Sequence, residues 1–192
     1  VPILSSSAVD VASGLNWQAQ QTALSLLQQH WLFSRELLTQ QLRDLSQQQF
    51  AVQPLREYYA PLREDECHAL GIAPHSQGWI REVLLLGQQQ PWVYARSVAC
   101  QQQMQHSSFD LATLGNRSLG EHLFKQNAFQ RLPIEVSPFP LSWLPAQLNL
   151  AEYSQPLWAR RSCFAHAELQ VLVAETFLPS FWHAAQQASA LD

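Results

Sequence analysis

Residues 78–100, GWIREVLLLGQQQPWVYARSVAC, constrain the fold of this chain more than any other stretch. They read as two strands joined by a short polar turn. Under period-two alternation Trp79, Arg81, Val83 and Leu85 share a face of the first strand. Trp92, Tyr94, Arg96, Val98 and Cys100 share a face of the second. Each face is otherwise apolar and carries one arginine. A guanidinium on an inward face is costly unless an anion or hydrogen-bond acceptors meet it. Two of them on neighbouring strands point to a pocket for a ligand bearing carboxylates.

The rest of the chain supplies layers for that hairpin to pack against. Residues 17–32 and 35–45 carry leucines and tryptophans at helical spacing, with Ser34 as the cap between them. Residues 50–60 read as a strand that Pro54 confines to an edge or a bulge. Residues 61–75 read as irregular, with Glu64, Asp65 and Glu66 as a solvated loop face. Two short helical turns are expected at 110–114 and 118–124, then a strand at 129–136 weakened by Pro133, and a proline-rich packed loop or lid at 137–156. Residues 157–166 and 169–178 form a second hairpin turning at Ala167-Glu168. Helices followed by strands, twice over, predict an α+β domain with a mostly antiparallel sheet. The 192 residues suit one domain, taken as 17–180, between a flexible segment 1–16 and a tail 181–192 of a helical turn or two.

Composition removes several classes of function. Charged residues are only 14%, and the formal net charge of −4 gives no basic footprint for nucleic acid. No apolar run reaches the ~20 residues of a membrane helix. Cys67, Cys100 and Cys163 are odd in number and far apart, which argues against a disulfide framework or a cysteine zinc site and fits a cytoplasmic setting. The seven histidines are scattered without metal-ligand spacing. No serine elbow or phosphate-binding glycine loop occurs, so any catalysis would proceed by binding, orientation and electrostatics.

Glu175 is a third charged residue on an apolar strand face, beside Val171, Val173 and Phe177. Pattern alone leaves two readings for Arg81, Arg96 and Glu175: a structural ion pair, or a polar pocket within the sheet. Arg160-Arg161 adds a pair of which alternation turns one inward, without saying which. Leu119, at the start of a capped helix, has either an ordinary cap or backbone N–H groups offered to a carboxylate.

The motifs WIREVLL, PWVYARSV, LATLGNRSLGEHLF, LWARRS and AETFLP, in this order, resemble the chorismate lyase family. The resemblance runs from about residue 31 to residue 179. It implies a single α+β domain built on a six-stranded antiparallel sheet, with helical flaps over an enclosed ligand site. It implies conversion of chorismate to 4-hydroxybenzoate and pyruvate, the first step of ubiquinone biosynthesis, by a monomer without metal or organic cofactor. Carried over position by position, it assigns Arg81 to a carboxylate, Leu119 to a backbone N–H contact, Glu175 to the site, Arg96 as the second arginine, and Leu38, before Thr39, as a flap contact. Ala95 stands where some members have glycine, and Cys100 where proline is common. The competing reading is a non-catalytic sensor of aromatic carboxylates with the same fold, as in the effector modules of some bacterial regulators.

Overall fold

In the computed structural model, which describes residues 15–107, 119, 123 and 129–190, seven strands form one antiparallel sheet. The strands are β1 (Phe50–Pro61), β2 (Gln77–Gly87), β3 (Gln90–Cys100), β4 (Gln130–Arg131), β5 (Glu135–Phe139), β6 (Leu157–His166) and β7 (Leu169–Phe177). Their order is β1-β2-β3-β7-β6-β4, and β5 follows β4 along the same edge of β6. The expected six positions across the sheet are therefore present, the last shared by two short strands. Pro133 falls between them, where its missing N–H costs no ladder bond. Both predicted hairpins are found. The β2–β3 turn has positive φ at Gln88 and Gln89, the twist that a two-residue hairpin needs.

One irregularity decides which side chains meet. Near the turn Gly87 pairs with Gln90 and Leu86 with Pro91, but beyond it Leu85 pairs with Val93. Trp92 is the extra residue of a β-bulge, and its indole packs with Phe181 rather than on the face of Tyr94. The register then sets Arg81 opposite Ser97, and Arg96 opposite Glu82. Directly opposed residues project to the same side of a sheet, so the two arginines face opposite ways.

Each face has its own cover. Helices α1 (Leu26–Phe33), α2 (Leu38–Leu45) and α5 (Pro179–Ser189) lie on the Arg81 face, where Trp31, Leu42 and Phe181 pack against Val83, Val93 and Phe177. The opposite face is covered by α3 (Glu64–Ala69), whose Cys67 and Leu70 meet Ile80, Val98 and Leu172. Short 3-10 turns at Leu141–Trp143 and Ala146–Leu148 make the proline-rich stretch a packed layer with Phe139 and Tyr94. Helix α4 (Gln101–His106) follows β3.

Several expected boundaries move for identifiable reasons. The first helix begins at Leu26, not Trp17, because Gln18 exchanges backbone hydrogen bonds with Val136 at 2.9 and 2.8 Å. Ser25 and Gln28 then close a reciprocal capping box. Ser34 holds the loop between α1 and α2, and Leu37 occupies the cap position of α2. The acidic run at 64–66 opens α3 rather than a loop; Glu64 is exposed as expected, but Glu66 is only 2% exposed. The packed unit extends past residue 180, because Phe181 and Ala185 are core residues of α5. Of the expected 118–124 turn only Leu119 and Leu123 are described, both buried; 110–114 and most of 1–16 lie outside the described residues.

Candidate active site

The register lays a row of side chains across the Arg81 face: Arg81 on β2, Ser97 on β3, Val173 on β7 and Ser162 on β6. The next row holds Val83, Ala95, Glu175, Arg160 and Val136. Arg81 and Glu175 thus lie two strands and one pleat repeat apart, about 12 Å between backbones. Ala95, Ser97 and Val173 form the floor between them. All three have short side chains and are buried.

Arg81 is 3% exposed. Its Nε lies 3.9 Å from Glu57 Oε2, while Glu57 Oε1 accepts the indole N–H of Trp79 at 2.8 Å. Burial lowers the proton affinity of the Arg81 guanidinium, and Glu57 only partly offsets it. Glu175 Oε2 accepts a 2.7 Å hydrogen bond from Arg160 Nε. Arg160 also donates through Nη1 to the carbonyls of Trp31 and Ser34, at 2.9 and 3.1 Å. One guanidinium therefore fixes the glutamate and ties it to the C-terminal end of α1.

A cavity of about 20 Å³, the size of one water, lies between the α1–α2 connection and the sheet. Glu36, Leu37 and Leu38 roof it, and Arg160, Ser162 and Glu175 line its base. As it stands, the cavity under the α1–α2 connection has room for one water and no larger ligand. Leu119 joins from another side, in the cluster of Trp79, Ala99 and Val173. A larger cavity of about 400 Å³, near Trp17, Asp65 and Arg161, is bordered by neither Arg81 nor Glu175.

The structure thus brings Arg81, Glu175, Leu38 and Leu119 to one face, and does not bring Arg96 there. On the α3 side, Arg96 Nε and Nη2 bond the two oxygens of Glu66 at 2.6 and 3.1 Å. Its Nη1 bonds Glu82 at 2.7 Å and the Tyr58 hydroxyl at 3.2 Å. Arg63 and Arg56 close the network on Glu66 and Glu82. Burial opposes the Arg96 charge, but these acceptors outweigh it and raise its proton affinity. Burial likewise pushes Glu66 and Glu82 up, yet their arginines hold both below the usual carboxylate range. Of two further arginines on the site face, one was half-visible in the sequence and the other was not. Arg160 was visible as half of Arg160-Arg161, but β6 is buried on both faces and both arginines are inward, Arg161 towards Asp65 and Glu135. Arg131 sits in a two-residue strand beside a proline, where no periodicity marks it.

The described part of this face, with Arg81, Arg131 and Arg160 on the same side of the sheet as Glu175, is chemically suited to a small organic anion. The family described as Chorismate lyase matches residues 12–187. A probable chorismate pyruvate-lyase 2 of Pseudomonas entomophila is 50% identical over 157 residues, covering 82% of this chain and 83% of that protein. A probable chorismate pyruvate-lyase of Pseudomonas putida is 51% identical over 157 residues, with the same coverage. A solved transcriptional regulator of the GntR family from Bacillus cereus shares the fold with TM-score 0.53 and 11% identity, over 69% of this chain and 93% of that one. The chain belongs to the chorismate lyase family.

Proposed function

We propose that this protein is a carbon–oxygen lyase that eliminates pyruvate from chorismate to give 4-hydroxybenzoate. The observation carrying this reading is the pairing of Arg81 and Glu175 across a floor of small residues on one buried face. A benzoate bearing a para hydroxyl has a carboxylate at one end and a hydrogen-bond donor at the other, and these two side chains match that polarity. Arg81 grips the ring carboxylate, helped by the backbone N–H at Leu119. Glu175, oriented by Arg160, accepts the ring hydroxyl. Leu38 closes the roof.

The reaction breaks the bond from the ring carbon to the ether oxygen, which leaves as the keto oxygen of pyruvate, and the C–H bond at the neighbouring hydroxyl-bearing carbon. The hydrogen goes to the enolpyruvyl methylene, which becomes the methyl of pyruvate, and the ring becomes aromatic. Aromatisation supplies the driving force, so orientation in a water-excluding site is the main task of the protein. We assign the protein to the cytoplasm as a monomer, and its reaction to the first step of ubiquinone biosynthesis. Among the described residues no helix is long and apolar enough to cross a membrane. Incubation of purified protein with chorismate and a metal chelator should release 4-hydroxybenzoate and pyruvate in equal amounts. Binding of chorismate without release of either would overturn the lyase reading in favour of a sensor.

A further inference from the structure

Chorismate has a second carboxylate, on its enolpyruvyl arm, and Arg96 cannot reach it from the other side of the sheet. The arm is attached to the ring carbon next to the one bearing the hydroxyl. Its carboxylate therefore lies only a few bonds from whatever reads that hydroxyl. If Glu175 does so, as proposed above, the cation for the second carboxylate must stand close to Glu175 on the same face.

Among the described residues two arginines line the cavity that Glu175 borders. Arg160 is already committed, to Glu175 itself and to the carbonyls of Trp31 and Ser34. Arg131 is placed differently. It ends β4 opposite Phe164 of β6, and its guanidinium carbon lies 5.6 Å over the centre of the Phe164 ring. Its Nε reaches back over β6 to Ser162 Oγ at 3.1 Å, and its Nη1 donates to the carbonyl of Arg35 at 3.2 Å. Both acceptors are neutral. With Glu175, Ser162 and Leu38 it borders the cavity beneath the α1–α2 connection. Burial and the nearby Arg160 charge, with a smaller contribution from Arg35, disfavour its protonated form, and Glu175 opposes them. An anion arriving in that cavity meets a partly desolvated guanidinium whose present acceptors are a serine and a carbonyl of the flap connection.

We propose that Arg131 binds the enolpyruvyl carboxylate of the substrate, with the Arg35 carbonyl as the acceptor that the carboxylate replaces when the hairpin lifts. The assignment rests on the lyase reading and separates substrate from product, because 4-hydroxybenzoate has no second carboxylate.

The test compares Arg131→Gln and Arg131→Lys with the wild type. The readouts are chorismate turnover, equilibrium binding of chorismate and of 4-hydroxybenzoate, and thermal unfolding. Loss of one charge-assisted contact predicts that Arg131→Gln lowers kcat/KM for chorismate on the order of 10- to 100-fold. The Kd for 4-hydroxybenzoate should stay within about threefold, since that interaction is absent from the product. Arg131→Lys, which keeps the charge but not the fork, should fall between. A folded Arg131→Gln variant with unchanged turnover, or one that loses substrate and product binding in equal measure, overturns the assignment. If the wild type binds chorismate without turning it over, the lyase reading fails on its own. The difference between chorismate and 4-hydroxybenzoate binding in Arg131→Gln then still decides the role of Arg131.

Discussion

Arg81 and Arg96 are buried arginines on adjacent strands of one hairpin, yet the sheet gives them opposite surroundings. Arg96 is met by both oxygens of Glu66, by Glu82 and by Tyr58, and its proton affinity is raised. Arg81 has among its neighbours Glu57 at 3.9 Å, shared with Trp79, and burial lowers its proton affinity. The Arg96 side is a closed network, linking β1, β2, β3 and α3 through ion pairs made within the fold. The Arg81 side holds its charges around small floor residues and under a helical hairpin. Burial of a charge thus does not by itself mark a site; what the charge faces decides.

The contrast is broken most directly at Arg96. Arg96→Met leaves Glu66 and Glu82 buried without their main cation, and removing one partner of a buried pair costs about 3–5 kcal/mol. For a chain of this size that corresponds to a fall in Tm of roughly 10 °C. Turnover per folded molecule, measured well below the transition, should remain close to wild type. A variant of normal stability with abolished turnover would move Arg96 into the site.

Arg81→Ala should give the complementary result. Losing a buried cation that holds a ligand carboxylate costs about 2–4 kcal/mol, or roughly 30- to 1000-fold in kcat/KM. Binding of 4-hydroxybenzoate should be lost with it, because substrate and product share the ring carboxylate. Tight product binding by this variant would remove Arg81 from its assigned role.

That both arginines were read as facing one pocket has a specific cause. The turn pairs Gly87 with Gln90, and an unbroken ladder from there would set Arg81 directly opposite Arg96. The single bulged residue at Trp92 shifts the register by one and sends Arg96 to the other face. Alternation within each strand was legible, but a bulge is fixed by packing, here of the Trp92 indole against Phe181. Glu66 was hidden for a related reason: its partner Arg96 is thirty residues away, so the acidic run looked like a solvated loop. The two hairpins, the antiparallel sheet and the inward Glu175 were readable because each follows from local periodicity. Arg96 was visible as an inward charge and Leu119 as a helix start; family resemblance gave both their site roles, and it orders motifs but does not fix which face a side chain takes.

Acid separates the two faces less sharply. Glu66 and Glu82 titrate below the usual carboxylate range in the folded chain. Their contribution to stability is fully present above the ordinary value of 4.5 and is lost as pH falls through the lowered folded values. Tm should therefore be level from neutral pH to about 5 and decline below about 4.5. Glu82→Gln should start lower at neutral pH and decline less steeply. An identical acid slope in that variant would mean that Glu82 is not among the groups responsible.

The smallest effect is expected at Ala95, the neighbour of Arg96 in sequence and of Glu175 in space. Its methyl group lies on the ligand face, so Ala95→Gly deepens the floor next to the glutamate without touching the Glu66–Arg96–Glu82 network. Glycine in a strand costs about 0.5–1 kcal/mol through backbone entropy, hence a Tm lower by a few degrees. Removing one methyl from the floor should alter the Kd of 4-hydroxybenzoate by a few-fold, with chorismate turnover changed by no more than a similar factor. Consecutive residues would then act on different properties, Ala95 on ligand affinity and Arg96 on folding. If Ala95→Gly lowers stability as expected but leaves product binding unaltered, the floor of the site lies elsewhere, and the span assigned between Arg81 and Glu175 must be redrawn.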